Sequence, residues 1–171
     1  MQEEDLNQPE IGRNRAAASG RPFDGADPDA AKALVCEADV TARDTLTSVL
    51  KSMGYQITQA ESAREAIESM RLYLFDLVVL DERFGCSDPG TNDVLSYLQT
   101  LNMAIRRQMF VAIVSDSRGT LDNMAAFNMS VNVIINAAHL DKAGTILKGA
   151  LADNAGFYRI MKDTLKRLGK R

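Results

Sequence analysis

The stretch Leu77-Val78-Val79-Leu80-Asp81 decides the fold of this chain. Four consecutive apolar residues followed by one acid are typical of a strand that is buried on both faces and that presents a carboxylate where it leaves the core. A second apolar run, Leu34-Val35-Cys36, ends on Glu37, and a third, at residues 110–114, ends on Ser115. Open α/β sheets place their chemistry at such strand ends, so we expect the two acids and the hydroxyl to share one site.

The other signals alternate between strands and helices. Predicted strands lie at residues 33–36, 55–59, 77–81, 110–114 and 131–135. Predicted helices lie at residues 41–53, from the capping box Ser62-Ala63-Arg64-Glu65 onward, at 92–101, at about 121–127, and from about Leu140 onward. Short connections between alternating strands and helices predict a doubly wound, five-stranded parallel α/β sheet, because such crossovers are right-handed.

The pattern within the strands predicts their order. Residues 55–59 alternate apolar and polar, which is typical of a half-exposed edge strand, whereas the first and third strands are apolar throughout and belong in the middle. The order 2-1-3-4-5 satisfies both conditions, and its switch point lies between strands one and three. Glu37 and Asp81 are therefore expected to converge.

Composition is that of an ordinary globular protein. The 171 residues are 46% hydrophobic and 25% charged, and a net charge of −3 gives no general argument for nucleic-acid binding. No stretch reaches the roughly 18 apolar residues of a membrane span, and the acidic amino terminus does not match a secretory signal. Two cysteines, Cys36 and Cys86, make neither a disulfide framework nor a metal cluster. We expect a cytoplasmic protein.

Three segments follow from this pattern. Residues 1–30 lack apolar periodicity and are predicted to be a disordered leader. Residues 31–153 contain all the predicted strands and are expected to form one domain. Residues 154–171 are predicted to extend the last helix and to end in a basic tail.

Over about residues 32–153 the chain resembles the receiver domain of response regulators, the phospho-accepting module of two-component signalling. The resemblance rests on the strand pattern and on the placement of Asp81, Glu37 and Ser115. It implies a flavodoxin-like fold in which Asp81 accepts a phosphoryl group from a histidine kinase in a phosphorelay. It also implies that Ser115 donates a hydrogen bond to that group.

The resemblance further implies a Mg²⁺ site, and here the sequence departs from the family pattern. Two adjacent acids follow the first strand in the family, whereas this chain has Glu37-Ala38. Asp39 would replace the missing acid if the loop shifts by one residue. The remaining implied ligands are Asp81 and the backbone carbonyl of Arg83.

A second departure lies at the end of the fifth strand. The family's lysine position holds Asn136, its proline position holds Ala137, and its switching aromatic is replaced by Val133. An amide can donate a hydrogen bond to a phosphoryl oxygen, but it brings no positive charge. The chain therefore looks like a degenerate receiver, often called a pseudo-receiver.

The last helix carries an apolar stripe with heptad-like 4-3 spacing, formed by Leu147, Leu151, Asn154, Tyr158, Met161, Leu165 and Leu168. The stripe exceeds what one sheet can cover, so its distal part, Tyr158, Met161, Leu165 and Leu168, is predicted to be the interface of a homodimer. The alternatives are a protein partner, a helix folded back on its own domain, or a solvated end that breaks at Gly156.

Two functional hypotheses remain. The first is a protein-interaction module in signal transduction that uses the receiver fold without phosphotransfer and is not an enzyme. The alternative is a phosphorylatable, stand-alone response regulator that accepts a phosphoryl group on Asp81 from a histidine kinase. Neither hypothesis includes a membrane or a nucleic acid as partner.

Overall fold

The computed structural model describes residues 30–86 and 91–169, with the side chains of Lys162 and Leu165 excepted. It contains one five-stranded parallel sheet in the order β2-β1-β3-β4-β5, as predicted. The strands are β1 (Lys32–Cys36), β2 (Gln56–Gln59), β3 (Leu77–Asp81), β4 (Phe110–Ser115) and β5 (Val133–Asn136).

Six α-helices and one 3₁₀ helix connect and cover these strands in the described part of the chain. The α-helices are α1 (Val40–Ser52), α2 (Ala63–Leu72), α3 (Asp93–Thr100), α4 (Met103–Arg106), α5 (Asn123–Asn128) and α6 (Ala143–Arg167). The 3₁₀ helix, Ala137–Lys142, joins β5 to α6. The sequence did not predict α4, because four residues are too few to show helical periodicity.

Local side-chain chemistry accounts for where two of these helices begin or end. At the start of α2, the Ser62 hydroxyl accepts a hydrogen bond from the Glu65 amide at 3.2 Å, which confirms the predicted capping motif. The Glu65 carboxylate in turn accepts from the Glu61 amide at 2.8 Å. After α1, Gly54 adopts φ +88°, the left-handed conformation that ends a helix.

The core has two layers, one on each face of the sheet, because the central strands alternate their side chains between both faces. On one face, Leu34, Val78 and Val111 pack against residues of α2 and α3. On the other face, Leu46 of α1 and Leu147 of α6 pack against strand residues that include Val35 and Val79. Both faces are buried, which is why β3 is apolar at four consecutive positions.

Helix α6 continues through Gly156 to Arg167, so the predicted alternative of a break at Gly156 is wrong. The predicted interface stripe is partly covered by its own domain. Tyr158 is partly buried and lines two clefts in its own domain, and Asn154 accepts a hydrogen bond from the Asn132 amide at 3.4 Å. The stripe lies along the face that packs on the sheet at Leu147, and it borders the domain as far as Asn154 and Tyr158.

Of the other predicted interface residues, Met161 is also partly buried, and the Leu165 side chain lies outside the described residues. Leu168 is 64% exposed, as an interface residue should be. The neighbouring face of the helix carries two residues that the sequence pattern did not single out, Phe157 (78% exposed) and Ile160 (74% exposed).

The predicted leader, residues 1–30, lies almost wholly outside the described residues. Where the chain is described, no helix has both the length and the apolar character needed to cross a membrane. Cys36 is buried and Cys86 is partly buried, and both are free thiols.

Candidate functional site

Asp81 opens into a cavity of about 750 Å³ at the carboxyl edge of the sheet. The cavity lining is mainly anionic, since it includes one guanidinium, that of Arg83, and the carboxylates of Glu37, Asp39, Asp81, Asp116 and Asp141. Register explains the convergence: Cys36 pairs with Leu80, so the residues that follow β1 and end β3 emerge side by side. The structure thus brings together the four residues that the sequence proposed as metal ligands.

Glu37 is 5% exposed, and its carboxylate accepts a hydrogen bond from the Asp39 amide at 3.0 Å. Burial raises the pKa of Glu37 above its ordinary value, and the negative charges of Asp81 and Asp39 add to this effect. Hydrogen bonds from the Asp39 and Ala38 amides oppose it. The net result favours a neutral Glu37 more than in water.

Burial also raises the pKa of Asp81, and the nearby charge of Glu82 acts in the same direction. The Arg83 backbone amide and the Arg83 guanidinium both lower this pKa, without cancelling the effect of burial. Arg83 is therefore the cation that acts on the candidate phosphoacceptor. The sequence had assigned a role only to its backbone carbonyl.

The Mg²⁺ ligands implied by the sequence have other contacts in the structure. Asp39 caps α1, where its Oδ1 accepts from the Ala42 amide at 2.8 Å. The Arg83 carbonyl accepts from the Cys86 amide at 3.3 Å. Across the described residues, no group of three or more His, Cys, Asp or Glu side chains is arranged to hold a metal ion. The arrangement of these side chains therefore does not fit a multi-carboxylate Mg²⁺ site.

Ser115 is 1% exposed and is not among the residues that line this cavity. It donates a hydrogen bond to the Glu82 carboxylate and accepts from the Ser117 and Arg118 amides at 3.2 and 3.1 Å. No sequence pattern had indicated a role for Glu82. In the structure the two residues lie at adjacent strand ends, because Asp81 pairs with Val114 and the next residues along the two strands are Glu82 and Ser115.

Glu82 also contacts Arg118, whose Nε lies 3.0 Å from its Oε1. Burial alone raises the pKa of Glu82, but hydrogen bonds from Ser115 and Arg118 outweigh that effect and hold its pKa below the ordinary value. A second ion pair, between Arg83 and Asp116, joins the same two loops near the surface. The loops after β3 and β4 are thus connected by two cationic side chains.

Asn92 fixes the backbone beside the candidate acceptor. This buried residue donates from its Nδ2 to the carbonyls of Asp81 and Glu82, at 3.1 Å each, and caps α3 by accepting from the Leu95 amide at 3.0 Å. The sequence placed Asn92 only as the start of a helix. Its contact with residues 11 and 10 positions earlier depends on how the intervening loop folds, which local patterns do not encode.

Comparison with solved structures identifies the architecture. The receiver domain of a Francisella response regulator superposes with a TM-score of 0.53 at 18% identity, over 70% of this chain and 95% of that domain. NtrX from Brucella abortus, solved in complex with ADP, superposes with a TM-score of 0.58 at 22% identity, over 83% of this chain and 30% of NtrX. This chain has the receiver fold of response regulators.

Sequence comparison finds two curated relatives. ZraR of Escherichia coli, a transcriptional regulatory protein, is 35% identical over 72 residues, which is 42% of this chain and 16% of ZraR. The arginine repressor of Halalkalibacterium halodurans is 27% identical over 128 residues, 75% of this chain and 72% of that protein. No family model matches the chain.

Within the receiver fold, the position implied for the lysine holds Asn136, which pairs with Ser115 at the end of β5. Its side chain forms hydrogen bonds with the neighbouring loops. Its Nδ2 donates to the Arg118 carbonyl at 2.7 Å, and its Oδ1 accepts from the Ala138 amide at 2.9 Å. Asn136 is not among the residues that line the Asp81 cavity. The implied hydrogen bond from Asn136 to a phosphoryl group would require Nδ2 to give up the Arg118 carbonyl or its longer, 3.5 Å contact with the Asp116 carbonyl.

Proposed function

We propose that this chain is a pseudo-receiver, a protein-interaction module in signal transduction that works without phosphotransfer and catalyses no reaction. One observation carries this proposal: the two side chains implied to bind a phosphoryl group, Ser115 and Asn136, both have other hydrogen-bond partners. Ser115 donates to Glu82, and Asn136 donates to the Arg118 carbonyl.

Energetics support the same conclusion. Attack by a carboxylate on phosphorus places negative charge on the phosphoryl oxygens, so the site needs positive charge held ready. Losing one preorganised donor of this kind typically costs about 3–4 kcal/mol of transition-state stabilisation. Here the lysine position holds a neutral amide, and five carboxylates line the cavity. The negative charge of a phosphoryl group would therefore be strongly disfavoured in this cavity.

The alternative is a phosphorylatable, stand-alone response regulator that accepts a phosphoryl group on Asp81 from a histidine kinase. Arg83 is the feature that favours it, since its guanidinium lines the Asp81 cavity and stabilises the ionised carboxylate. Against it, Arg83 also pairs with Asp116, so its charge is already shared with a second carboxylate.

Intact-mass spectrometry after incubation with acetyl phosphate and Mg²⁺ separates these two functions. We expect no phosphoryl adduct on the wild-type chain. Asp141→Asn, which removes a different carboxylate of the same cavity, is the matched control for Asp81→Asn. An adduct that forms on the wild type and on Asp141→Asn, but not on Asp81→Asn, would establish the phosphorylatable function instead.

We further propose that α6 contributes to a homodimer, with an amended interface. Phe157 and Ile160 in the distal half of α6, and Leu168 just after its end, are exposed apolar residues. They lie on the same side of the chain, and a second copy around a two-fold axis is the simplest apolar surface that could cover them. Tyr158 and Met161, being partly buried, would lie at the edge of this interface.

Nucleic acid is not among the proposed partners, although two relatives carry the names of transcriptional regulators. The net charge of −3 provides no general attraction to a phosphate backbone.

A further inference from the structure

The Glu82 carboxylate lies in a set of hydrogen-bond donors that all come from one loop. Ser115 donates through its hydroxyl, Arg118 through Nε at 3.0 Å, and Ser117 through its hydroxyl at 3.4 Å. We call residues 115–118 the anion loop. Three convergent donors, one of them cationic, are the chemistry by which proteins bind an oxyanion.

The donor capacity of Ser115 is fully used. A hydroxyl has a single proton to donate and two lone pairs that accept. Here the proton goes to Glu82, and the lone pairs accept from the Ser117 and Arg118 amides. Because Ser115 is also buried, no second anion can share its proton while Glu82 remains in place.

The anion loop continues into contacts that reach the end of β5. The Arg118 carbonyl accepts from the Asn136 side chain at 2.7 Å. Two residues later, the Thr120 hydroxyl accepts from the Asn136 backbone amide at 2.9 Å and lies 2.8 Å from Nδ1 of His139. A change in the position of Arg118 would therefore alter the hydrogen bond that holds the Asn136 side chain.

We propose that the anion loop is an oxyanion-binding site whose resident ligand is the protein's own Glu82 carboxylate, which fixes the loop after β4 in one conformation. The proposal deepens the pseudo-receiver function and rests on it in one respect: no phosphoryl group competes for Ser115. It assigns Glu82 a positioning role that neither the sequence resemblance nor the comparisons indicate.

Amide hydrogen exchange, measured by NMR on the full chain, tests this assignment at two amides, those of Ser117 and Arg118. Both donate to the Ser115 hydroxyl, so their protection reports whether that oxygen is held. The test variants are Glu82→Ala, which removes the carboxylate, and Glu82→Gln, which keeps its shape without the charge. Glu68→Gln is the matched control, because it breaks an exposed ion pair, with Arg64, on α2.

We expect protection of the two amides to fall about tenfold or more in Glu82→Ala and by a smaller factor in Glu82→Gln, since hydrogen bonds to charged groups exceed neutral ones in strength. Glu68→Gln should leave them unchanged. Wild-type protection in Glu82→Gln would show that no anion is needed and would overturn the proposal. Equal loss in Glu68→Gln would overturn it too, because the effect would then be a general loss of stability.

These outcomes are distinct from failure of the proposed function. Exchange at Ser117 and Arg118 is measured without a phosphodonor, so it reports the role of Glu82 alone. An adduct on Asp81 in the mass-spectrometry experiment would refute the absence of phosphotransfer, whatever the exchange shows. Loss of protection in Glu82→Ala with no adduct on the wild type supports both.

Discussion

The hydroxyl of Ser115 donates its hydrogen bond to the carboxylate of Glu82, the residue that follows Asp81. Two acids at the end of β3 therefore have separate environments. Asp81 lines an anionic cavity in which burial raises its pKa, whereas Glu82 is held by a hydroxyl and a guanidinium that keep its pKa low. The acid that the sequence singles out is thus the less stabilised of the two as an anion.

Replacing Asp81 by Asn should leave the melting temperature at pH 7 unchanged or raise it. The folded-state pKa values of Glu37 and Asp81 are both raised, so folding disfavours their charged forms. Their contribution to stability is lost as pH climbs from the ordinary values of 4.5 and 3.8 through the higher folded values. Asp81→Asn removes one of these groups. The gain in melting temperature over the wild type should therefore shrink at pH values below the ordinary pKa values, where both carboxyls are protonated in the wild type.

Thermal unfolding followed by circular dichroism across this pH range is the measurement. Asp44→Asn, an exposed acid on α1 that does not line the cavity, is the control and should show no such gain. A clear drop in melting temperature for Asp81→Asn at pH 7 would contradict the repulsive arrangement.

Replacing Asn92 by Ala should destabilise the protein by about 2–3 kcal/mol, because a helix cap and two hydrogen bonds to carbonyls are lost together. Asn102→Ala, which removes one exposed cap at the start of α4, should cost about 1 kcal/mol. Urea unfolding at equilibrium gives both values. Equal costs would mean that the Asn92 contacts with the loop after β3 contribute little.

Replacing Gly85 by Ala should destabilise the loop after β3. Gly85 has φ +64°, and a Cβ there would lie 2.7 Å from Cβ of Ala63 on α2, so the substitution combines backbone strain with a steric clash. Gly156→Ala is the matched control: no atom lies within 4 Å of its Cβ position in α6. It should stabilise the protein by about 0.5–1 kcal/mol. Melting temperatures that move in the same direction for both variants would refute this account of Gly85.

Replacing Phe157 and Ile160 by Glu should abolish self-association while leaving the domain folded, since both side chains are exposed and the new charges would face each other across a two-fold axis. Sedimentation velocity at tens of micromolar measures the oligomeric state. Arg159→Glu together with Lys166→Glu, which changes charge on the opposite, exposed face of the same helix, serves as control. A monomeric wild type under these conditions would exclude the homodimer.

The sequence was sufficient to predict strand order because β3 is apolar at four consecutive positions and β2 alternates, and these patterns follow directly from burial. It also predicted that Glu37 and Asp81 converge, since parallel register brings the ends of β1 and β3 together.

Contacts between loops could not be predicted from the sequence. The Glu82 carboxylate meets Ser115 and Arg118 across 33 and 36 residues, and its partners depend on backbone turns rather than on periodicity. The sequence left the partner of the distal stripe of α6 open for a related reason. Heptad spacing identifies one apolar face of a helix but does not say whether that face meets a second chain or its own domain, and Tyr158 meets its own domain.

The uninterrupted course of α6 has a mechanical consequence. A helix of 25 residues is about 38 Å long, whereas a five-residue strand of this sheet spans about 17 Å. The helix packs on the domain at Leu147 and still borders it at Tyr158. The segment from Tyr158 to Leu168 extends about 15 Å further, so a tilt of about 10° at Tyr158 would displace Leu168 by about 3 Å.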